Sequence, residues 1–179
     1  MMNIVNKARE FAKDRHDGQY RKDDRIYFVH PESVAKKVAQ YKTSKYLDEI
    51  TAAAYLHDVL EDTETTYYEL VKEFGFGVAS LVLEVTTNKD MKNVIGKEKY
   101  LSFKLKHMTN WALVIKLCDR LDNMEDLNLP YIEQSFRDKY TAETMYIINY
   151  IGTNRELTNT HQAIITDIQK QLAKLKAGG

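Results

Sequence analysis

The chain has 179 residues, 26 of them basic and 26 acidic, so its formal net charge at neutral pH is zero. That length suits one domain with a substantial core, and the balanced charge argues against a basic nucleic-acid scaffold or a protein drawn to anionic membranes. A lone cysteine, Cys118, excludes an internal disulfide and fits a reducing, cytoplasmic setting, and no apolar run approaches the roughly 20 residues that span a bilayer.

Glycine and proline are scarce, at 7 and 2 residues, which favours helices joined by short loops. The 3.6-residue period dominates the apolar pattern, so the expected fold class is all-α, in a single domain over residues 1–179. The N-terminal stretch MMNIVNKAREFAKDRH is charged throughout and lacks the apolar core of a secretory signal. Ile4, Ala8, Phe11 and Ala12 recur at helical spacing and predict a first helix ending near His16. The stretch HDGQYRKDDRIYFVHP, residues 16–31, is polar and irregular and reads as a loop. Pro31 suits the first turn of a second helix, where a missing N–H costs nothing, and Val34, Val38 and Tyr41 mark the buried face of that helix. An alanine-rich third helix is expected from about Leu47 to Leu60. Thr65 or Thr66 caps a short helix over Tyr68 to Phe74, and Gly75 and Gly77 punctuate before another through Leu81, Val82 and Val85. Residues 86–96 are polar and expected as a mobile loop. Helices follow around Tyr100–His107, Trp111–Met124, Phe136–Ile151 and His161–Leu175, and Gly178 and Gly179 are expected as a frayed end.

Polar residues that an apolar core pattern does not call for fall in three places. In AAAYLHDVLED, residues 52–62, a continuous helix puts Glu61 one turn beyond His57 and Asp62 one turn beyond Asp58. An imidazole nitrogen and a carboxylate oxygen together suit a divalent transition metal such as Mn, Fe or Zn. The two acids one turn further on can handle the protons of water or a leaving group. In ALVIKLCDRLDNMEDL, residues 112–127, Asp119 is a candidate second carboxylate ligand, and Asn123, at i+4, orients it or touches substrate. In the loop 16–31, His30 precedes Pro31 at a helix start and is a second imidazole candidate, while Arg21 and Lys22 form a basic pair able to hold phosphates. Each place has an ordinary explanation: a solvated helix end, a surface pair of Asp119 with Arg120 or Lys116, a charged turn. His16 reads equally as a helix C-terminal residue facing the dipole. Together the three supply two histidines, two aspartates, two further acids, an amide and a basic pair, which is an inventory for metal-assisted phosphoester hydrolysis.

The order H…HD…D resembles that of the HD phosphohydrolase superfamily. The strings HDGQYRK (16–22), YFVHP (27–31), LHDVLEDT (56–63) and KLCDRLDNM (116–124) resemble the hydrolase domain of the RelA/SpoT alarmone enzymes, over roughly residues 1–150. The resemblance implies a helical HD domain with one Mn²⁺ held by His30, His57, Asp58 and Asp119. It implies that Glu61 and Asp62 position or activate the attacking water, and that Arg21, Lys22 and Asn123 surround a small nucleotide. The implied reaction removes pyrophosphate from the 3′ position of ppGpp or pppGpp, leaving GDP or GTP. With no length for a synthetase domain or regulatory tail, a stand-alone hydrolase of the stringent-response alarmone is expected.

Two departures from the family pattern lie on the substrate side. The family often continues NMR after the last aspartate, whereas Asn123–Met124 is followed here by Glu125 and Asp126. Residues 86–99 fit the pattern poorly, although Lys97 and Lys99 are within reach of a phosphate in principle. Two other readings therefore stand beside the first: a hydrolase of another phosphorylated nucleotide such as NADPH, or a non-catalytic nucleotide-binding HD domain. His107 and His161 match no pattern and read as surface or satisfied histidines; Cys118, Trp111 and most of the 12 tyrosines read as packing residues.

Overall fold

The computed structural model describes residues 2–177, so the expectation for Gly178 and Gly179 lies outside the described residues. Among these residues there are ten helices and one isolated antiparallel bridge, between Tyr20 and Ile26, as an all-α fold requires. No helix among them is long and apolar enough to cross a membrane. The chain divides into two compact units, one through Thr86 and one from Thr87.

The first unit holds α1 (Ile4–Arg15), α2 (Val29–Tyr41), α3 (Leu47–Tyr55), α4 (Val59–Asp62) and α5 (Tyr67–Val85). Helix α3 is its centre and packs on α1, α2 and α5. Ala52, Ala53 and Ala54 are fully buried, and their small side chains let three neighbours approach one short helix. Val34, Val38, Ile50, Leu56, Val59 and Leu70 fill the space around it, each large side chain contributing roughly 1.5–3 kcal/mol of burial. Asn3 starts α1 by accepting from the Asn6 N–H at 2.8 Å, and Thr66 starts α5 by accepting from Glu69 N–H at 3.2 Å. Gly75 interrupts α5 with φ 79° and ψ 165°, conformations only glycine adopts easily, while Gly77 remains helical. The two expected helices are thus both present and meet at the Gly75 kink.

The expected third helix, 47–60, is corrected. Helix α3 stops at Tyr55, and Leu56, His57 and Asp58 form a turn before the short α4. The Val59 N–H reaches back only three residues, to Leu56 O at 3.1 Å, which tightens the chain there.

The second unit holds α6 (Lys89–Ile95), α7 (Lys97–His107), α8 (Asn110–Asp126), α9 (Gln134–Asn154) and α10 (Asn159–Ala177). Helix α8 packs on α10, and α7 on α6 and α9. The loop expected over 86–96 is corrected: residues 89–95 are helical, started by the Asn88 side chain, which accepts from the Met91 N–H at 2.8 Å. Arg155 closes the far end of α7, donating to Leu105 O at 2.7 Å and Met108 O at 3.0 Å. His161 is fully buried with Nε2 2.9 Å from Asn110 O, the satisfied histidine expected of it, and His107 is exposed. Cys118 is buried.

Candidate metal centre

The end of α3 dictates the geometry of His57. Once the chain leaves the helix, the Ala54 carbonyl is taken up by the imidazole, with Nδ1 at 2.8 Å. A carbonyl oxygen only accepts, so Nδ1 carries a hydrogen and Nε2 is the nitrogen that can coordinate a cation. That Nε2 lies 3.0 Å from Asp58 Oδ2, and His30 Nε2 lies 3.7 Å from the same oxygen. His30 comes from the first turn of α2, one residue before Pro31, and both imidazoles are buried, at 3% and 1% exposure. The two rings stand edge to face with centroids 5.1 Å apart. Two imidazole nitrogens and one carboxylate oxygen converging in this way form a donor set that fits a divalent metal.

The acid pair follows directly. Asp58 O accepts from the Glu61 N–H at 3.1 Å and the Asp62 N–H at 2.9 Å, so α4 grows out of Asp58. The predicted one-turn relation of Asp58 to Asp62 therefore survives. That of His57 to Glu61 does not, because His57 lies off the helix. Glu61 is half-buried and Asp62 exposed.

The expected loop holds for residues 16–28, which form a tight reversal, while Val29, His30 and Pro31 already belong to α2. Arg21 N donates to Arg25 O at 2.8 Å and Tyr27 N to Gln19 O at 2.8 Å, with Asp24 in the left-handed region at φ 61°. Aspartate tolerates that conformation better than most residues. Arg21 and Lys22 sit in the tip of this reversal, the first half-buried and the second exposed. Its base is anchored by Gln19, which donates to Asp62 O at 2.9 Å and accepts from His16 Nδ1 at 2.8 Å. Burial holds the His16 pKa below the ordinary histidine value, partly offset by the Gln19 hydrogen bond. Tyr27 leaves the reversal with its hydroxyl donating to Asp58 Oδ2 at 2.6 Å. The residue pattern did not single out Gln19 or Tyr27, and for His16 it offered only the helix dipole. Loop residues have no periodicity from which a side-chain direction can be read.

In the second unit, α8 presents Asp119 at 9% exposure. Lys116 Nζ lies 2.5 Å from its Oδ2, and the Asn123 amide donates to its Oδ1 at 2.7 Å. Of the two basic partners weighed for Asp119, Lys116 is therefore the one in place. Arg120 instead turns to α9, donating to Glu143 Oε1 and Thr144 Oγ1 at 3.0 Å each and lying over the Tyr140 ring. Lys97 pairs with Glu143 Oε2 at 3.1 Å. Glu125 is exposed and Asp126 half-buried on the last turn of α8.

The chain resembles several known proteins. A family model described as an HD domain matches residues 8–156. The guanosine-3′,5′-bis(diphosphate) 3′-pyrophosphohydrolase of Aquifex aeolicus is 39% identical over 80% of the chain, which covers 20% of that relative. The enzyme of the same name from Xenopus tropicalis is 33% identical over 84% of the chain, which covers 87% of that protein. The chain thus spans about a fifth of the bacterial relatives it matches and most of the vertebrate ones. Among solved structures, a metazoan SpoT ortholog described as hydrolysing ppGpp shares the fold, with a TM-score of 0.78 at 24% identity over 96% of this chain and 97% of that one. A Listeria monocytogenes structure aligns with a TM-score of 0.66 at 21% identity, covering 83% and 96% of the two chains.

Proposed function

Because this chain belongs to the HD-domain family, we propose that it is a metal-dependent phosphohydrolase acting on a small nucleotide, ppGpp or pppGpp. The reaction consumes one water and releases pyrophosphate from the 3′ position, leaving GDP or GTP. The observation that carries the metal chemistry is the convergence of His30 Nε2 and His57 Nε2 on one oxygen of Asp58. The substrate reading is supported by the names of the relatives, above all the vertebrate protein covered nearly end to end.

In this reading His30, His57, Asp58 and Asp119 are the ligands, and Mn²⁺ is the ion, another divalent transition metal being able to replace it. The ion supplies Lewis acidity toward water and phosphate oxygen. Glu61 and Asp62 accept the proton of the attacking water. Arg21 and Lys22 neutralise phosphate charge from the tip of their reversal. Asn123 orients Asp119, as its amide already does in α8, and faces the nucleotide. The family match runs through both compact units, which supports reading them as parts of one HD domain. A cytoplasmic location suits a nucleotide substrate and a chain with a single cysteine.

The acidic Glu125 and Asp126, where the family often has a basic residue, favour one second reading: a different phosphorylated nucleotide. Parallel incubations of the Mn²⁺-loaded protein with ppGpp and with NADPH separate the two. Pyrophosphate from ppGpp is expected; phosphate from NADPH alone would replace the substrate assignment. Glu61→Gln should retain Mn²⁺ but slow hydrolysis by about 10²–10⁴-fold, the usual range for a general base. Turnover at the wild-type rate in that variant would remove Glu61 from proton handling.

A further inference from the structure

We propose that Tyr27 is a positioning residue that sets metal affinity by holding the Asp58 carboxylate. The inference rests on the metal-site reading above and adds a residue to it. The Tyr27 hydroxyl donates to Asp58 Oδ2 at 2.6 Å, and that is the oxygen on which both imidazole Nε2 atoms converge. A carboxylate oxygen has two lone pairs, so one hydrogen bond leaves it able to bind a cation. What the hydrogen bond fixes is rotation of the carboxylate, which otherwise turns broadly about its last bond.

The donor is itself fixed. The Tyr27 ring lies against the His16 ring with centroids 4.8 Å apart, and it stands edge to face with the His30 ring at a centroid separation of 6.0 Å. His16 is 2% exposed and tied through Gln19 to the backbone of Asp62. The Tyr27 backbone is held on both sides, its N–H by Gln19 O at 2.8 Å and its carbonyl by the His30 N–H at 3.0 Å. A tyrosine present only for packing has no need to place its hydroxyl on a ligand oxygen. Hydrogen-bonding partners behind metal ligands orient the ligand, and losing one weakens binding by about 10–100-fold.

The test titrates the metal-free full chain calorimetrically with Mn²⁺ alone, comparing wild type, Tyr27→Phe and Asp58→Ala. Tyr27→Phe removes one oxygen atom and keeps the ring. The expected result is Mn²⁺ binding weaker by about 10–100-fold in Tyr27→Phe and lost in Asp58→Ala. The Mn²⁺ concentration for half-maximal ppGpp hydrolysis should rise in parallel, with kcat at saturating Mn²⁺ and KM for ppGpp close to wild type. A residue that merely supports the fold would not give that split. Wild-type Mn²⁺ affinity in Tyr27→Phe, with binding lost in Asp58→Ala, overturns the role of Tyr27 and leaves the metal site standing. Equal affinity in all three proteins overturns the metal site and the proposal with it. If Tyr27→Phe does not fold, Tyr27→Met is the second variant, with the same weakening expected and wild-type affinity again overturning the proposal.

Discussion

His57 and Asp58 are neighbours in sequence, yet they reach a common point only because α3 ends before them and the Ala54 carbonyl captures His57 Nδ1. Their residue types suggested metal-binding chemistry in the sequence; their placement on a turn was not legible there, because His57 and Asp58 also satisfy a helical pattern. His16 shows the same limit. Its position at the end of α1 was readable, but its burial and its link through Gln19 to Asp62 depend on a reversal that no periodicity announces. A testable consequence lies in the pH dependence of stability. Burial lowers the folded-state pKa of His16 from the ordinary value of 6.5, so below that value the unfolded chain takes up a proton that the folded chain refuses. The stabilising contribution is therefore complete above pH 6.5 and is lost as pH falls toward the folded value. Urea midpoints of the metal-free protein should fall between pH 7.5 and 5.5, and His16→Gln should fall less steeply. An identical slope in the variant would show that His16 titrates alike in both states.

At the scale of elements, long apolar stripes such as those of α2 and α8 announced themselves, and α9 and α10 fell within a few residues of expectation. Helix α6 did not, because it has no buried residue: its seven residues depend on the Asn88 cap and on packing against α7, neither of which leaves an apolar period. In α5 the two glycines looked equivalent in sequence and are not. Gly75 holds φ 79° and ψ 165°, whereas Gly77 is helical, and neither would bring an added methyl within 4 Å of another residue. The cost of substitution is therefore conformational alone. Gly75→Ala should destabilise by about 1–3 kcal/mol, and Gly77→Ala should stabilise by about 0.4–1 kcal/mol. Thermal unfolding of the two variants checks this, and movement of both midpoints in the same direction would contradict the assignment of the kink to Gly75.

For the whole molecule, the scarcity of glycine and proline and the helical period together announced an all-α protein, and the family match over residues 8–156 agrees with the strings that suggested it. What the strings could not supply was Tyr27 behind Asp58, a contact made across the fold. Lys116 and Asn123 on Asp119, three and four residues away on one helix, were readable from spacing. The central claim, that this fold presents a metal-dependent pyrophosphohydrolase, is tested most directly by incubating the Mn²⁺-loaded full chain with ppGpp beside Asp58→Ala and separating the products. Equal amounts of GDP and pyrophosphate from the wild type, with ppGpp intact beside the variant, is the predicted result. Intact ppGpp beside a wild-type protein that binds Mn²⁺, or full turnover by Asp58→Ala, would contradict it.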